Sequence, residues 1–219
     1  MGAVVGIVPA GGSGERLGLA GPKAFALVAG RPLLDWSMEV LASVCDRVVV
    51  AVPAGYEAPP DRVRGGRTRS ASVRAALQAA PEAEVAVVHD AARPLLTREL
   101  VERCLAALGD GAFDGVIAGA PVTDTIKEAD RGGRVLRTLE RSALWAVQTP
   151  QVFRADALRG ALEVDDATLA GATDDASLVE AAGCTVAMVE SSPENLKVTT
   201  PLDLRLAEAL LRSRTPQGV

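Results

Sequence analysis

The chain has 219 residues, 48% of them hydrophobic, enough for one sizeable α/β domain with a complete core. A net charge of −5 and a pI near 5.0 argue against a general nucleic-acid or membrane-surface binder, so an anionic ligand must be met by local positive clusters. Aromatic residues at 3% leave little for stacking on single-stranded bases, and no apolar run approaches the ~20 residues that span a bilayer. The N-terminal residues carry no basic segment ahead of a removable apolar stretch, and the expectation is a soluble, cytoplasmic protein with neither membrane nor nucleic-acid partners.

Cys45, Cys104 and Cys184 are widely spaced, form no C-x-x-C, and have only His89 to help complete a metal site. They read as small buried thiols in a reducing compartment, without thiol chemistry.

Val4 to Val8 is a short apolar run that fits a strand covered on both faces. It breaks into Pro9-Ala10-Gly11-Gly12-Ser13-Gly14-Glu15-Arg16, where the glycines let backbone N–H groups approach an anion closely. The P-loop pattern fails, because Lys23 follows Pro22 and precedes Ala24. The dinucleotide fingerprint fits only in part: Leu17 stands where a third glycine belongs, and the next strand, Arg47 to Pro53, ends without an acidic ribose ligand. What remains is a glycine-rich loop with its own Arg16 and, further on, Lys23. It resembles the signature loop of nucleotidyltransferases that activate sugars with a nucleoside triphosphate.

Pro32 fits the first turn of a helix whose apolar residues Leu33, Leu34, Trp36, Val40, Leu41 and Val44 recur at helical spacing. Val48 to Val52 is a second strand, and Pro53 to Pro60 a surface loop. Gly65-Gly66-Arg67-Thr68-Arg69-Ser70 leads into a helix carrying Val73, Leu77 and Ala80. Val85 to Val88 is a third strand that ends at His89-Asp90. A carboxylate at that edge of a parallel sheet can hold Mg²⁺ together with substrate phosphates, which makes Asp90 the metal candidate. His89 should point to the other face and serve the structure.

A helix from about Thr97 to Leu108 and a strand from Gly115 to Ala120 continue the alternation. Residues 122–127 and 135–139, around the turn Asp130-Arg131-Gly132-Gly133, alternate as a hairpin, and a lone hairpin needs something to pack on. Trp145 to Phe153 reads as an apolar connection, followed by a helix to about Glu163. Thr173-Asp174-Asp175-Ala176 starts another helix with acidic residues in its first turn. Val186 to Val189 and Asn195 to Thr199 read as strands, and Pro201 opens a helix to about Arg212. The organisation expected is a single domain, 1–212, with an arm at about 122–141 and a disordered tail at 213–219.

The glycine loop, His89 to Pro94, Asp124-Thr125-Ile126-Lys127, Gln148-Thr149-Pro150-Gln151, Thr173 to Ser177 and Asn195 to Thr199 occur in one order that resembles the 2-C-methyl-D-erythritol 4-phosphate cytidylyltransferases of the non-mevalonate isoprenoid pathway. The likeness runs from Val4 to about Leu210. It implies a Rossmann-like, mostly parallel α/β sheet flanked by helices, with a protruding β-hairpin arm that forms a homodimer. It also implies Mg²⁺-dependent transfer of CMP from CTP. By the same resemblance Ala10, Gly11, Gly12, Gly14 and Ala91 surround the nucleotide, Arg16 and Lys23 take the triphosphate, and Gly66, Arg67 and Ser72 line its cytosine end. Lys197 takes the α-phosphate. Asp90, Arg93 and Thr173, with Thr125 and Arg141 of the other subunit, take the sugar phosphate. The chain departs from the pattern at Gly11, where many members have alanine, and at Arg67, where an acidic residue is common. Rival readings are a cytidylyltransferase for another polyol phosphate such as ribitol 5-phosphate, a GTP- or UTP-using relative, and a non-catalytic nucleotide sensor or scaffold on the same fold.

Overall fold

The computed structural model describes residues 2–18, 21–57, 59 and 61–214. In chain order these form β1 (Val4–Pro9), the short pair β2 (Leu27–Val28) and β3 (Arg31–Pro32), α1 (Leu33–Ala42), β4 (Arg47–Val52), β5 (Arg62–Arg64), α2 (Arg69–Gln78) and β6 (Val85–Val88). There follow α3 (Arg98–Gly109), β7 (Gly115–Pro121), β8 (Lys127–Ala129), β9 (Val135–Thr138), β10 (Trp145–Arg154), α4 (Ala155–Leu162), α5 (Asp166–Gly171), α6 (Asp175–Ala181), β11 (Val186–Glu190) and α7 (Pro201–Arg214).

Among the described residues the main sheet runs β11-β7-β10-β6-β1-β4-β5. All its pairings are parallel except those of β10, which lies antiparallel between β6 and β7. The central strands are continuous apolar runs because both faces are covered. Val5 and Ile7 of β1 face one core with α2, α4 and α6, while Val4 and Val8 face the other with α1 and α3. A third, smaller cluster seats α7 against β2 through Val28, Leu33, Ala207 and Leu211. From β1 the chain moves outward to β4 and β5, then returns to place β6 on the other side of β1. That reversal opens a crevice at the C-terminal ends of β1 and β6, where open α/β sheets bind their ligands.

The structure corrects several expectations. Trp145 to Phe153 is no mere connection but a long, central strand. Its apolar pattern is interrupted by Gln148, Thr149, Pro150 and Gln151, all buried, and the pairing with β7 shifts register between Val147 and Gln151. Pro150, which has no N–H to give a ladder, sits in that interruption. Asn195 to Thr199 is not a strand. The segment crosses the strand ends, Val198 N donating to Ala92 O and the Asn195 side chain to Gln148 Oε1 and Thr149 O. The hairpin pairs through residues 127–129 rather than 122–127, because Asp130 Oδ1 accepts from the N–H of Gly132 and of Arg134 and fixes the turn later in the chain. Helix α5 has no counterpart among the expected elements, although Asp165 caps it, accepting from Thr168 N. Ser213 and Arg214 continue α7 instead of starting a tail, Arg214 donating to Leu95 O. The remainder of the expected tail, 215–219, lies outside the described residues.

Candidate active site

β1 ends where Ala10 N donates to Ala51 O, and Gly11 and Gly12 follow as exposed backbone. A Cβ on Gly12 would meet nothing within 4 Å, so protein packing does not demand glycine there, and the open space it faces is available to a ligand. Gly14 is different. It holds φ 79° and turns the chain into the 3₁₀ turn Glu15–Leu17, which carries Arg16 outward. Lys23 N donates back to Gly12 O, closing the loop, and Lys23 Nζ donates to Val198 O at 2.8 Å.

A second turn faces the first from the end of β5. Gly66 packs so tightly that an added Cβ would lie 2.4 Å from the Cβ of Ala71. Thr68 caps α2 by accepting from Ala71 N, and Ser72 Oγ donates to Thr68 O.

The end of β6 is fixed by a buried relay. Asp90 N donates to Thr149 Oγ1, which lies 3.0 Å from His89 Nδ1, while His89 Nε2 is 3.1 Å from Arg93 O. Because a carbonyl only accepts, Nε2 carries the proton and Nδ1 accepts from the threonine hydroxyl. His89 is therefore a neutral structural group. Burial pushes its pKa down to about 4, against the weaker pull of Arg93 O and Asp90. Below about pH 6.5 the unfolded chain takes up a proton that the folded one refuses, so this contribution is complete above pH 6.5 and is lost as pH falls towards 4. Urea midpoints are expected to fall between pH 7 and pH 5, and to fall less in His89→Gln. An equal fall in both proteins contradicts the assignment.

Asp90 carries the most concentrated electrostatics. Its Oδ1 accepts from Arg69 Nε at 2.8 Å, and its Oδ2 lies 2.7 Å from Lys197 Nζ. Burial works against the charge, but Arg69 and Lys197 outweigh it and hold the carboxyl well below the usual range. Lys23 is pushed down to about 8 by burial first and Lys197 second, with Asp90 opposing.

These groups bound two cavities. The first, about 330 Å³, is lined by Ala10, Gly11, Gly12, Arg16, Lys23, Gly66, Arg67, Ser72 and Ala91 among others. The second, about 390 Å³, is lined by Arg93, Gln148, Thr149, Gln151, Thr173 and Asp174 among others. Arg69, Asp90 and Lys197 line both, so the cavities meet at one charged partition. The sequence-derived residues thus converge, with three exceptions. Gly14 shapes the loop from behind. Thr125 and Arg141 line neither cavity: Thr125 is exposed, and Arg141 Nη1 donates to Thr123 O within the arm. Sequence reasoning missed Arg69, and it quoted Thr149 and Gln151 only within a motif, without a role at the site. The signals available were a second arginine in Arg67-Thr68-Arg69 and, for the other two, the motif Gln148-Thr149-Pro150-Gln151 standing inside an apolar run.

Arg93 is spent partly on structure, Nη1 donating to Asn195 O and Nη2 to Val147 O. For a metal, the described residues hold no group of three or more His, Cys, Asp or Glu. Asp90 is the carboxylate lining the first cavity, and magnesium accepts a single protein carboxylate and completes its shell with phosphate oxygens and water; Lys197, which holds Oδ2, would have to move aside for it. The donor set fits a cation that arrives with a nucleotide better than a resident one.

Two adjoining polar cavities, a glycine loop at the switch point and cations gathered round one carboxylate suit the alignment of two phosphate groups. Those are the means of a nucleotidyltransferase. The particular family follows from comparison: the family model described as 2-C-methyl-D-erythritol 4-phosphate cytidylyltransferase (IspD) matches residues 4–213. The chain is 47% identical to the enzyme of that name from Nocardia farcinica, over 97% of this chain and 96% of the other. It is 41% identical to the one from Thermosynechococcus vestitus, over 96% of each. The crystal structure of the Thermus thermophilus enzyme superposes with a TM-score of 0.82 at 40% identity, covering 97% of this chain and 100% of that one. The chain belongs to the 2-C-methyl-D-erythritol 4-phosphate cytidylyltransferase family and is a cytidylyltransferase.

Proposed function

We propose that this chain transfers CMP from CTP to 2-C-methyl-D-erythritol 4-phosphate by direct, in-line attack of the substrate phosphate on the α-phosphorus, releasing pyrophosphate. The observation that carries the reading is the pair of cavities sharing Arg69, Asp90 and Lys197. CTP occupies the first, its base at Gly66, Arg67 and Ser72 and its phosphates along the glycine loop between Arg16 and Lys23. The acceptor phosphate occupies the second, held by Arg93 and Thr173. The nucleophile is already an anion, so the chemistry needs no strong base; it needs alignment and a positive field where charge builds on the leaving group. Lys197, whose side chain is 42% exposed, leaves Asp90 for the α-phosphate. Asp90, together with the substrate phosphates, would hold Mg²⁺, which would supply positive charge towards the leaving group.

The reading includes a cytoplasmic homodimer built through the arm. Val135 and Leu136 are 56% and 53% exposed, an unusual cost for a hairpin left in water, and a second subunit would cover them. The partner subunit's Thr125 and the partner subunit's Arg141 would then complete the acceptor cavity that these residues do not reach in their own chain. No helix of the described chain is long and apolar enough to cross a membrane.

Triphosphate binds the protonated form of Lys23, so CTP affinity is expected to fall as pH rises through about 8. Titration calorimetry between pH 7 and pH 9 checks this, and Lys23→Arg should flatten the dependence. An affinity constant over that range contradicts the contact.

A pyrophosphate-release assay with a nucleotide and acceptor panel tests the whole reading. CTP with methylerythritol phosphate is expected to turn over fastest. Faster turnover with ribitol 5-phosphate assigns the acceptor differently, another triphosphate moves the base specificity, and CTP binding without turnover favours a sensor.

A further inference from the structure

Arg69 opens α2 and carries two partly buried ion pairs that join elements far apart in sequence. Its Nε donates to Asp90 Oδ1 at 2.8 Å and its Nη1 to Asp175 Oδ2 at 2.6 Å. Asp175 is fully buried and lines neither cavity, and its Oδ1 has no hydrogen-bond partner among the described residues. It is the first residue of α6, whose leading N–H groups, those of Asp175 and Ala176, donate to Gln151 Oε1. The guanidinium therefore ties the nucleotide-side turn, directly before α2, to the acceptor side, where Thr173 and Asp174 precede α6. Asp90 sits between.

We propose that Arg69 is a positioning residue for the transfer reaction: its fork fixes Asp90 and the start of α6 as one unit, setting the acceptor cavity in register with the nucleotide cavity. The inference rests on the proposed function and deepens it. With Arg69 on Oδ1 of Asp90, Oδ2 is the oxygen that Lys197 vacates when it moves to the α-phosphate. Arg69 meets the two carboxylates through separate nitrogens of one rigid plane, Nε and Nη1, a span and orientation that the single ammonium nitrogen of lysine does not reproduce. Burial raises the pKa of Asp175, with Arg69 opposing the rise.

Arg69→Met alone would strand a buried charge and could unfold the protein. The informative variant is Arg69→Met/Asp175→Asn, which removes both charges of that pair, with Asp175→Asn and Arg69→Lys alongside. The double variant is expected to melt within a few degrees of Asp175→Asn and to bind CTP within about 3-fold of the parent protein. Its kcat should nevertheless drop by at least ~10-fold and its KM for methylerythritol phosphate rise, the pattern of a misplaced acceptor. Arg69→Lys should recover melting temperature without recovering kcat. A folded double variant with kcat within about 3-fold of the parent overturns the proposal, as does a loss confined to CTP affinity. The parent run in parallel separates the two levels: no turnover there refutes the proposed reaction itself. In that event hydrogen exchange decides, since CTP should slow exchange at the first amides of α6 in the parent and not in Arg69→Lys. Equal slowing in both overturns the inference.

Discussion

Replacing Arg16 by alanine is expected to lower kcat by at least ~10²-fold, the scale of removing one transition-state donor, or roughly 2.7 kcal/mol. The variant is informative because Arg16 is exposed on a 3₁₀ turn that contributes no buried residue, so its loss should leave the melting temperature unchanged. Lys23→Ala should cost at least as much activity, but it also removes the bond from Nζ to Val198 O and so loosens the segment bearing Lys197. Melting temperatures of the two variants separate the effects. An Arg16 variant that is folded and keeps near-normal kcat would rule out the triphosphate clamp.

Mixing Arg16→Ala with Arg141→Ala subunits is expected to restore activity that neither homodimer has. In the mixed dimer one site keeps its own Arg16 and receives an intact Arg141 from the other chain, while the second site loses both. With random exchange about half the dimers are mixed and each has one good site, so recovery should approach about a quarter of the parent activity. The expectation follows from position: Arg141 sits in the exposed arm, bonded to Thr123 O, away from either cavity of its own chain. Mixing without recovery, under conditions where subunits exchange, would mean that each site is built within one chain.

Much of the site was legible because its chemistry is local. A glycine loop after an apolar strand, and a carboxylate at the end of another, declare themselves by residue type at a strand edge. Motif order places Lys23, Asp90 and Lys197 in one site only by resemblance; physically, their convergence depends on the reversal that seats β6 beside β1, which no local pattern encodes. The central strand β10 was illegible for a different reason. Its buried Gln148, Thr149 and Gln151 look like loop residues until their partners Asn195, His89 and Asp174 are known. Arg69 was hidden in the same way: beside the exposed Arg67 it reads as another surface charge, and only the fold brings Asp90 and Asp175 to it.

In the proposed mechanism everything turns on the acceptor phosphate itself attacking the α-phosphorus of CTP at the charged partition between the two cavities. Methylerythritol phosphate carrying ¹⁸O in its phosphate, turned over with CTP and Mg²⁺ and followed by ³¹P NMR, tests this most directly. All the label is expected to stay in the diphosphocytidyl product, one ¹⁸O bridging its two phosphorus atoms, while pyrophosphate leaves unlabelled. Label in the released pyrophosphate, or pyrophosphate released without a labelled diphosphate, would contradict attack by the acceptor phosphate.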